Sequence, residues 1–199
     1  TLPDGTVPIA IEALDPDPLA PYGGDARTAE RLRWIANFVR EHCAMTFRKT
    51  TPEMAQQLGW VSLEPNRFTK PGQWKSASGE MAYGNTHAWY GSARFELAPD
   101  EALVLTGRFP DCRFANVVLW NQFMQSFDYV NRHVSLNRNQ VAYEADGSYR
   151  IVIAHEDPGV PNWLDTEGRR TGQIYYRYFF PTETPAAPTS KVVKLASLR

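Results

Sequence analysis

The chain has 199 residues, 43% of them hydrophobic, enough for one well-buried core or for one domain with an extension. Twenty-one basic against 22 acidic residues leave a formal net charge of −1, which excludes the global positive field that draws proteins to nucleic acid or to anionic membranes. Cys43 and Cys112 have no CxxC companion and are too few for a disulfide framework. No apolar run reaches the roughly 18 residues of a membrane span, so the chain as given reads as soluble, with a cytoplasmic setting the default expectation. No basic and apolar signal segment precedes Thr1, and the missing Met leaves trimming and excision from a longer protein both open.

From Thr1 to Gly24, five prolines and two Asp-Pro steps forbid long regular elements and predict a surface strap. The pattern then changes. Leu32, Ile35, Ala36, Val39 and Cys43 recur at helical spacing opposite Arg31, Arg33, Arg40 and Glu41, predicting a helix over 26–45 with Asp25 as its N-cap. Thr51 as cap, Pro52 at the first helical position and Gly59 beyond the end predict a second, short helix. Residues 1–60 are therefore read as a Pro-rich strap and helical extension, and 61–199 as the main domain.

In that domain the period shifts to two. Trp89, Gly91, Ala93, Phe95 and Leu97 alternate with Tyr90, Ser92, Arg94 and Glu96, as in a half-buried strand. After the turn at Ala98-Pro99-Asp100-Glu101, Leu103, Leu105 and Phe109 mark one face of the next strand. Phe114 to Trp120 is apolar at nearly every position, predicting a central strand covered on both sides. Asp146-Gly147, between Val141-Ala142-Tyr143 and Tyr149 to Ala154, signals a type I′ hairpin. Gln173 to Phe180 is a further strand stopped by Pro181, and the tail with Pro181, Pro185 and Pro188 runs extended before Val192 and Val193. Strands at this spacing without intervening helices predict a mainly β fold, an antiparallel jelly-roll-like β-sandwich with an N-terminal helical extension.

There is no glycine-rich phosphate loop, GxSxG elbow, HExxH or paired CxxC. Candidate chemistry rests on polar residues near strand ends. Asp128 lies five residues before His133, where an acid can orient an imidazole as general base; the structural alternative is an Asp128–Arg132 ion pair on an exposed turn. His155, Glu156 and Asp157 are consecutive, so their side chains converge only if Pro158-Gly159 turns the backbone, and no metal is expected there. Trp163, in a loop, offers a flat face and one N–H for stacking on a ring, or a plug for the end of the core, while Asn162 suits a hydrogen bond to its own loop. Arg177 sits inside YYRYFF and demands a partner if it faces inward.

The order ALVLTGRFP, a strand ending in Trp120, ADGSYRIVI, PNWL and YYRYFFP resembles the bacterial domain of unknown function 1214 family. YGNTHAWY, with Tyr83, Gly84 and Asn85, fits the family's opening segment, so the resemblance spans 83–195. It implies a jelly-roll-like sandwich, often following another domain, and carries no catalytic mechanism. Asn121-Gln122-Phe123 departs from the small hydroxyl residues common after the Trp120 position.

The resulting expectation is a domain that binds a small organic ligand, a sugar or an acid, in an aromatic, polar-rimmed pocket lined by Trp163, Asn162, Trp120 and Arg177, with no cofactor. One alternative is a metal-independent enzyme using Asp128, His133 or His155 as acid or base. Another is an oligomerisation domain, a homo-oligomer formed through the N-terminal helix. Neither nucleic acid nor a membrane span enters any of the three.

Overall fold

A computed structural model of the chain describes residue 12 and residues 24–44, 51–74 and 85–199. The strap expected over 1–24, apart from residues 12 and 24, lies outside the described residues, as do Tyr83, Gly84 and the side chain of Cys43. The chain divides into two compact units, Thr1–Glu41 and His42–Arg199.

The long helix α1 runs Gly24–Ala44, so Asp25 lies inside its first turn, where a carboxylate meets the positive end of the helix dipole, instead of capping it. Within α1, Trp34 and Phe38 stack at 5.7 Å, and the apolar residues Leu32, Ile35 and Val39 are exposed. The short helix α2, Pro52–Leu58, has the bounds that its proline and Gly59 dictate.

Among the described residues nine strands follow: β1 Val61–Ser62, β2 Ala88–Glu96, β3 Glu101–Gly107, β4 Phe114–Trp120, β5 Ser135–Asn137, β6 Tyr149–Ala154, β7 Trp163–Asp165, β8 Thr171–Phe179 and β9 Thr189–Lys194. They form two sheets, one in the order β1-β2-β8-β4-β5 and the other β7-β6-β3-β9. The fold is a β-sandwich. Most neighbours pair antiparallel as the alternation predicts, but β1–β2 and β6–β7 pair parallel, so both sheets are mixed. Each parallel strand has only two or three residues, too short for the sequence period to reveal it.

The core lies between the sheets. Phe95 of β2, Leu103 and Leu105 of β3, Ala115, Val117 and Leu119 of β4, Ile151 and Ile153 of β6, and Ile174, Tyr176 and Tyr178 of β8 all point into it. These are alternate residues in every strand, the periodicity that a pleated backbone imposes. β2 is not half-buried, because residues 60–74 cover much of its second face and bury Tyr90 and Ser92 as well. β4, in contrast, is covered less than its apolar run suggests: Phe114 is exposed, and Val118 and Trp120 are only partly buried.

At the 144–148 hairpin Gly147 alone has positive φ, 81°, and its N–H donates to the Glu144 carbonyl at 2.8 Å. Asp146 keeps negative φ and accepts from the Ser148 N–H, so the expected type I′ turn is a type I turn closed by a left-handed glycine. Its first arm contributes a single bridge, Tyr143 to Tyr149.

Gly172 on β8 leaves room for the Phe95 ring, since a Cβ there would meet that ring at 2.5 Å and the Trp120 carbonyl at 2.8 Å. Gly172→Ala will therefore force core side chains off their rotamers and lower stability by about 1–3 kcal/mol, read as a lower denaturant midpoint at unchanged slope. The core tyrosines give a second expectation. Burial drives Tyr149 up to about 12 from an ordinary value near 10, and drives Tyr176 and Tyr178 well above it. Because the folded values exceed the unfolded one, this stabilisation is complete below pH about 10 and is lost as pH rises through about 12. In an alkaline titration these phenols will ionise together with loss of the native circular dichroism; ionisation with the native signal intact would contradict their burial.

Candidate functional site

The four residues expected to line one pocket are divided between the two sheets. Trp163 is the first residue of β7 in the four-stranded sheet and not part of a loop, and Asn162 lies in the turn just before it. Its indole packs with Val104, Val160, Val193 and Leu198 around Val152 and Ala154, on the side of that sheet away from the core, and its N–H donates to the Ala154 carbonyl at 3.2 Å. It covers a sheet face; it does not plug an end. Asn162 is buried, accepts from the Ala142 N–H at 2.8 Å and donates to the carbonyls of Ala142 and Arg150 at 2.7 and 3.0 Å. Every hydrogen-bonding direction of that amide that matters is taken up within the chain, which makes it a clasp between the 142 segment and β6.

The candidate acid–base residues are also held apart. Asp128 closes its own turn, accepting from the N–H groups of Val130 and Asn131 at 3.1 and 3.2 Å, and the Asn131 side chain, with those N–H groups, holds its carboxyl below the usual range. Arg132 pairs with the buried Asp165 at 2.7 Å, not with Asp128. That partner is distant in sequence and so invisible to local reading. His133 is exposed, and among the described residues its imidazole has no carboxylate partner. His155 lies with Nε2 3.1 Å from the Ala98 carbonyl and Nδ1 2.6 Å from the Thr166 hydroxyl. A carbonyl only accepts, so Nε2 carries a proton, and Nδ1 is engaged by the Thr166 hydroxyl, leaving the ring no free nitrogen. Glu156 pairs with Arg199 at 2.9 Å, and Asp157 accepts from the Gly159 N–H at 2.7 Å, so the three consecutive residues diverge.

Trp120 and Arg177 share the outer face of the five-stranded sheet, four residues apart in register. Antiparallel register sets Tyr90 and Asn116 directly beside Arg177, one on each flanking strand, and Ser92 and Val118 beside Tyr175. Since alternate residues share a face, Gln173, Tyr175 and Arg177 of β8 all point outward here. Trp120 stacks on Tyr175 at 4.3 Å, and Trp60 meets Tyr90 and Tyr175 at 5.5 and 5.9 Å. The Arg177 guanidinium carbon stands 5.7 Å from the centres of both the Tyr90 and Tyr175 rings. Burial keeps the Tyr175 phenol well above its ordinary pKa, against the opposing pull of the Arg177 cation.

The polar groups on this face are under-satisfied. Trp60 Nε1, Arg94 Nε, Asn116 Oδ1, Gln173 Oε1 and Arg177 Nε are all buried without a hydrogen-bond partner among the described residues. Native proteins leave few such atoms, and each one left dry costs about 1–3 kcal/mol. For Gln173 the polarity of the unpartnered atom is fixed. The Ser92 hydroxyl donates to the Ile174 carbonyl at 3.2 Å, so it can only accept from Gln173 Nε2, and Oε1 remains as an unused acceptor. Arg177 has no carboxylate within ion-pair distance among the described residues, although Glu96 pairs with the neighbouring Arg94 at 3.4 Å. Elsewhere, a cleft of about 520 Å³ beside α2 is lined by Ala55, Gly59, Val61, Leu63 and Phe68, and its charged residues Glu64 and Arg67 neutralise each other at 3.2 Å.

Tyr90, Tyr175, Trp60, Asn116 and Gln173 were not legible as site residues. Their only sequence signal was the density of aromatic residues around Arg177, which a thick core explains equally well.

No family model matches the chain, and no curated protein matches it. Among solved structures it is similar to an uncharacterised protein from Burkholderia cenocepacia, with 36% identity, a TM-score of 0.59, and coverage of 64% of this chain and 36% of that one. It is also similar to a protein from Vibrio parahaemolyticus at 20% identity and a TM-score of 0.45, over 54% of this chain and 31% of that one. The chain thus spans about a third of the length of each of these structures.

The clasp reading of Asn162 has a direct consequence. Asn162→Ala will strand the Ala142 and Arg150 backbone groups and destabilise the domain by about 2–4 kcal/mol in denaturant unfolding, with no change at the Trp120 face.

Proposed function

We propose that this chain is a ligand-binding β-sandwich domain of the domain of unknown function 1214 family, jelly-roll-like in connection, which holds a small organic molecule on the outer face of its five-stranded sheet. The observation that carries this reading is Arg177, a partly buried cation set 5.7 Å from the rings of both Tyr90 and Tyr175 with no carboxylate beside it among the described residues. Aromatic walls with a few convergent polar groups are the composition of small-molecule sites, because the rings supply contact area and the polar atoms fix orientation. Arg177 and Trp120 keep the ligand-contacting role expected of them, while Asn162 and Trp163 take structural roles on the other sheet. The acid–base reading draws no support from His133 or His155, neither of which is placed against a carboxylate.

Titration with a panel of neutral hexoses and simple organic acids, followed by tryptophan fluorescence and calorimetry, tests the site. For any member that binds, Trp120→Ala will weaken binding about tenfold or more, on the scale of one lost aromatic contact and its desolvated surroundings, and Trp163→Phe will leave it unchanged. The reverse order of effects would move the site to the other sheet and defeat the proposal.

A further inference from the structure

We infer that the outer-face site takes a 2-hydroxy carboxylate, with the carboxylate on Arg177 and the adjacent hydroxyl on Asn116; this rests on the small-ligand reading above and specifies its chemistry. Three features of the geometry point to it. First, Arg177 is a partly buried cation with no acid beside it among the described residues; Arg138 and Arg150 also lack a carboxylate, but Arg177 is the cation that stands against two aromatic rings, Tyr90 and Tyr175, among the described residues. A guanidinium has a planar fork of donors that matches a carboxylate, so an anion from outside is the complement that the site lacks.

Second, the guanidinium is held in place before any ligand arrives. Tyr90 and Tyr175 flank it, each ring centre 5.7 Å from the guanidinium carbon. Side-chain ordering is therefore largely complete before binding, which leaves more of the ion-pair energy for affinity.

Third, Asn116 is the register partner of Arg177 on β4, and its Oδ1 is buried without a donor. Directly opposed residues on adjacent strands carry their Cβ atoms about 5 Å apart. Vicinal carboxylate and hydroxyl groups fit that spacing: the carboxylate accepts from the arginine while the hydroxyl donates to the amide oxygen. Aspartate at position 116 would repel the same anion. The rings of Trp120 and Tyr175 leave an apolar wall beside this pair, which favours a probe carrying a ring.

Calorimetry and fluorescence with three matched compounds separate the terms. Mandelate carries ring, hydroxyl and carboxylate; phenylacetate lacks the hydroxyl; 1-phenyl-1,2-ethanediol lacks the charge. Mandelate is expected to bind, phenylacetate to bind about tenfold more weakly, and the diol to bind too weakly to measure, the scales of one lost hydrogen bond to the Asn116 amide and of the lost ion pair with Arg177. Arg177→Met and Asn116→Asp should each abolish mandelate binding with native circular dichroism retained, and Arg177→Lys should recover part of it. Binding of the diol as tight as that of mandelate, lost in Trp120→Ala, would overturn the acid assignment and leave the site standing. Mandelate binding unaffected by both Arg177→Met and Trp120→Ala, or no response to any of the three compounds, would overturn the acid assignment, and in the first of these cases the outer-face site falls with it.

Discussion

The structure depends on β8 being paired on both sides, with β2 along nine residues and with β4 along seven. Because side chains alternate, that pairing fixes two chemistries at once: Ile174, Tyr176 and Tyr178 enter the core, while Gln173, Tyr175 and Arg177 face outward. A slip of one residue would drive the Arg177 cation between the sheets and expose Tyr176 and Tyr178, so apolar burial and charge desolvation oppose it together. Gly172 adds a steric key, since the Phe95 ring and the Trp120 carbonyl occupy the space above it. The sheet that builds the core and the face that gathers the aromatic rings are therefore one element read from two sides.

What the sequence disclosed follows from this geometry. Period-two runs long enough to count, such as Trp89 to Leu97 and Gln173 to Phe180, were legible as strands because alternation is a local property of the pleat. β5 and β7 were not, because three residues carry no period. The coverage of β2 on both sides was hidden for another reason: Trp60 and Trp74 come from segments outside the strand pattern and fold over Tyr90. The type I′ expectation failed because Asp-Gly also suits a type I turn followed by a left-handed glycine, and the longer loop from Glu144 to Ser148 selects that form.

The site was only half legible. Arg177 and Trp120 were noticed by residue type, but what sets them on one face is long-range register, and what separates them from Trp163 is assignment to different sheets. Neither quantity has a local signature. The same holds for the ion pairs: Arg132 passes over the nearby Asp128 for Asp165, since Asp128 is already engaged by the N–H groups of its own turn and Asp165 stands buried on β7. Sequence proximity ranks partners by distance along the chain, whereas the fold ranks them by desolvation and by which lone pairs remain unused.

The two outer faces of the sandwich make the strongest argument about function, because they solve the same physical problem differently. On the four-stranded sheet, Val152 and Ala154 are covered by Trp163, Val193 and the turn Leu195–Leu198, and the one polar group among them, the indole N–H, finds a carbonyl. That is closure by apolar contact, and it leaves nothing over. On the five-stranded sheet a larger aromatic cluster surrounds a cation, two amides and an indole with unused hydrogen-bonding atoms. Cation–π contacts of about 0.5–2 kcal/mol hold Arg177 in place but do not replace a carboxylate partner. The polar atoms left without a partner on the second face, among the described residues, cost about 1–3 kcal/mol each where they stay dry, so the two faces of one sandwich differ in energetic character as well as in composition.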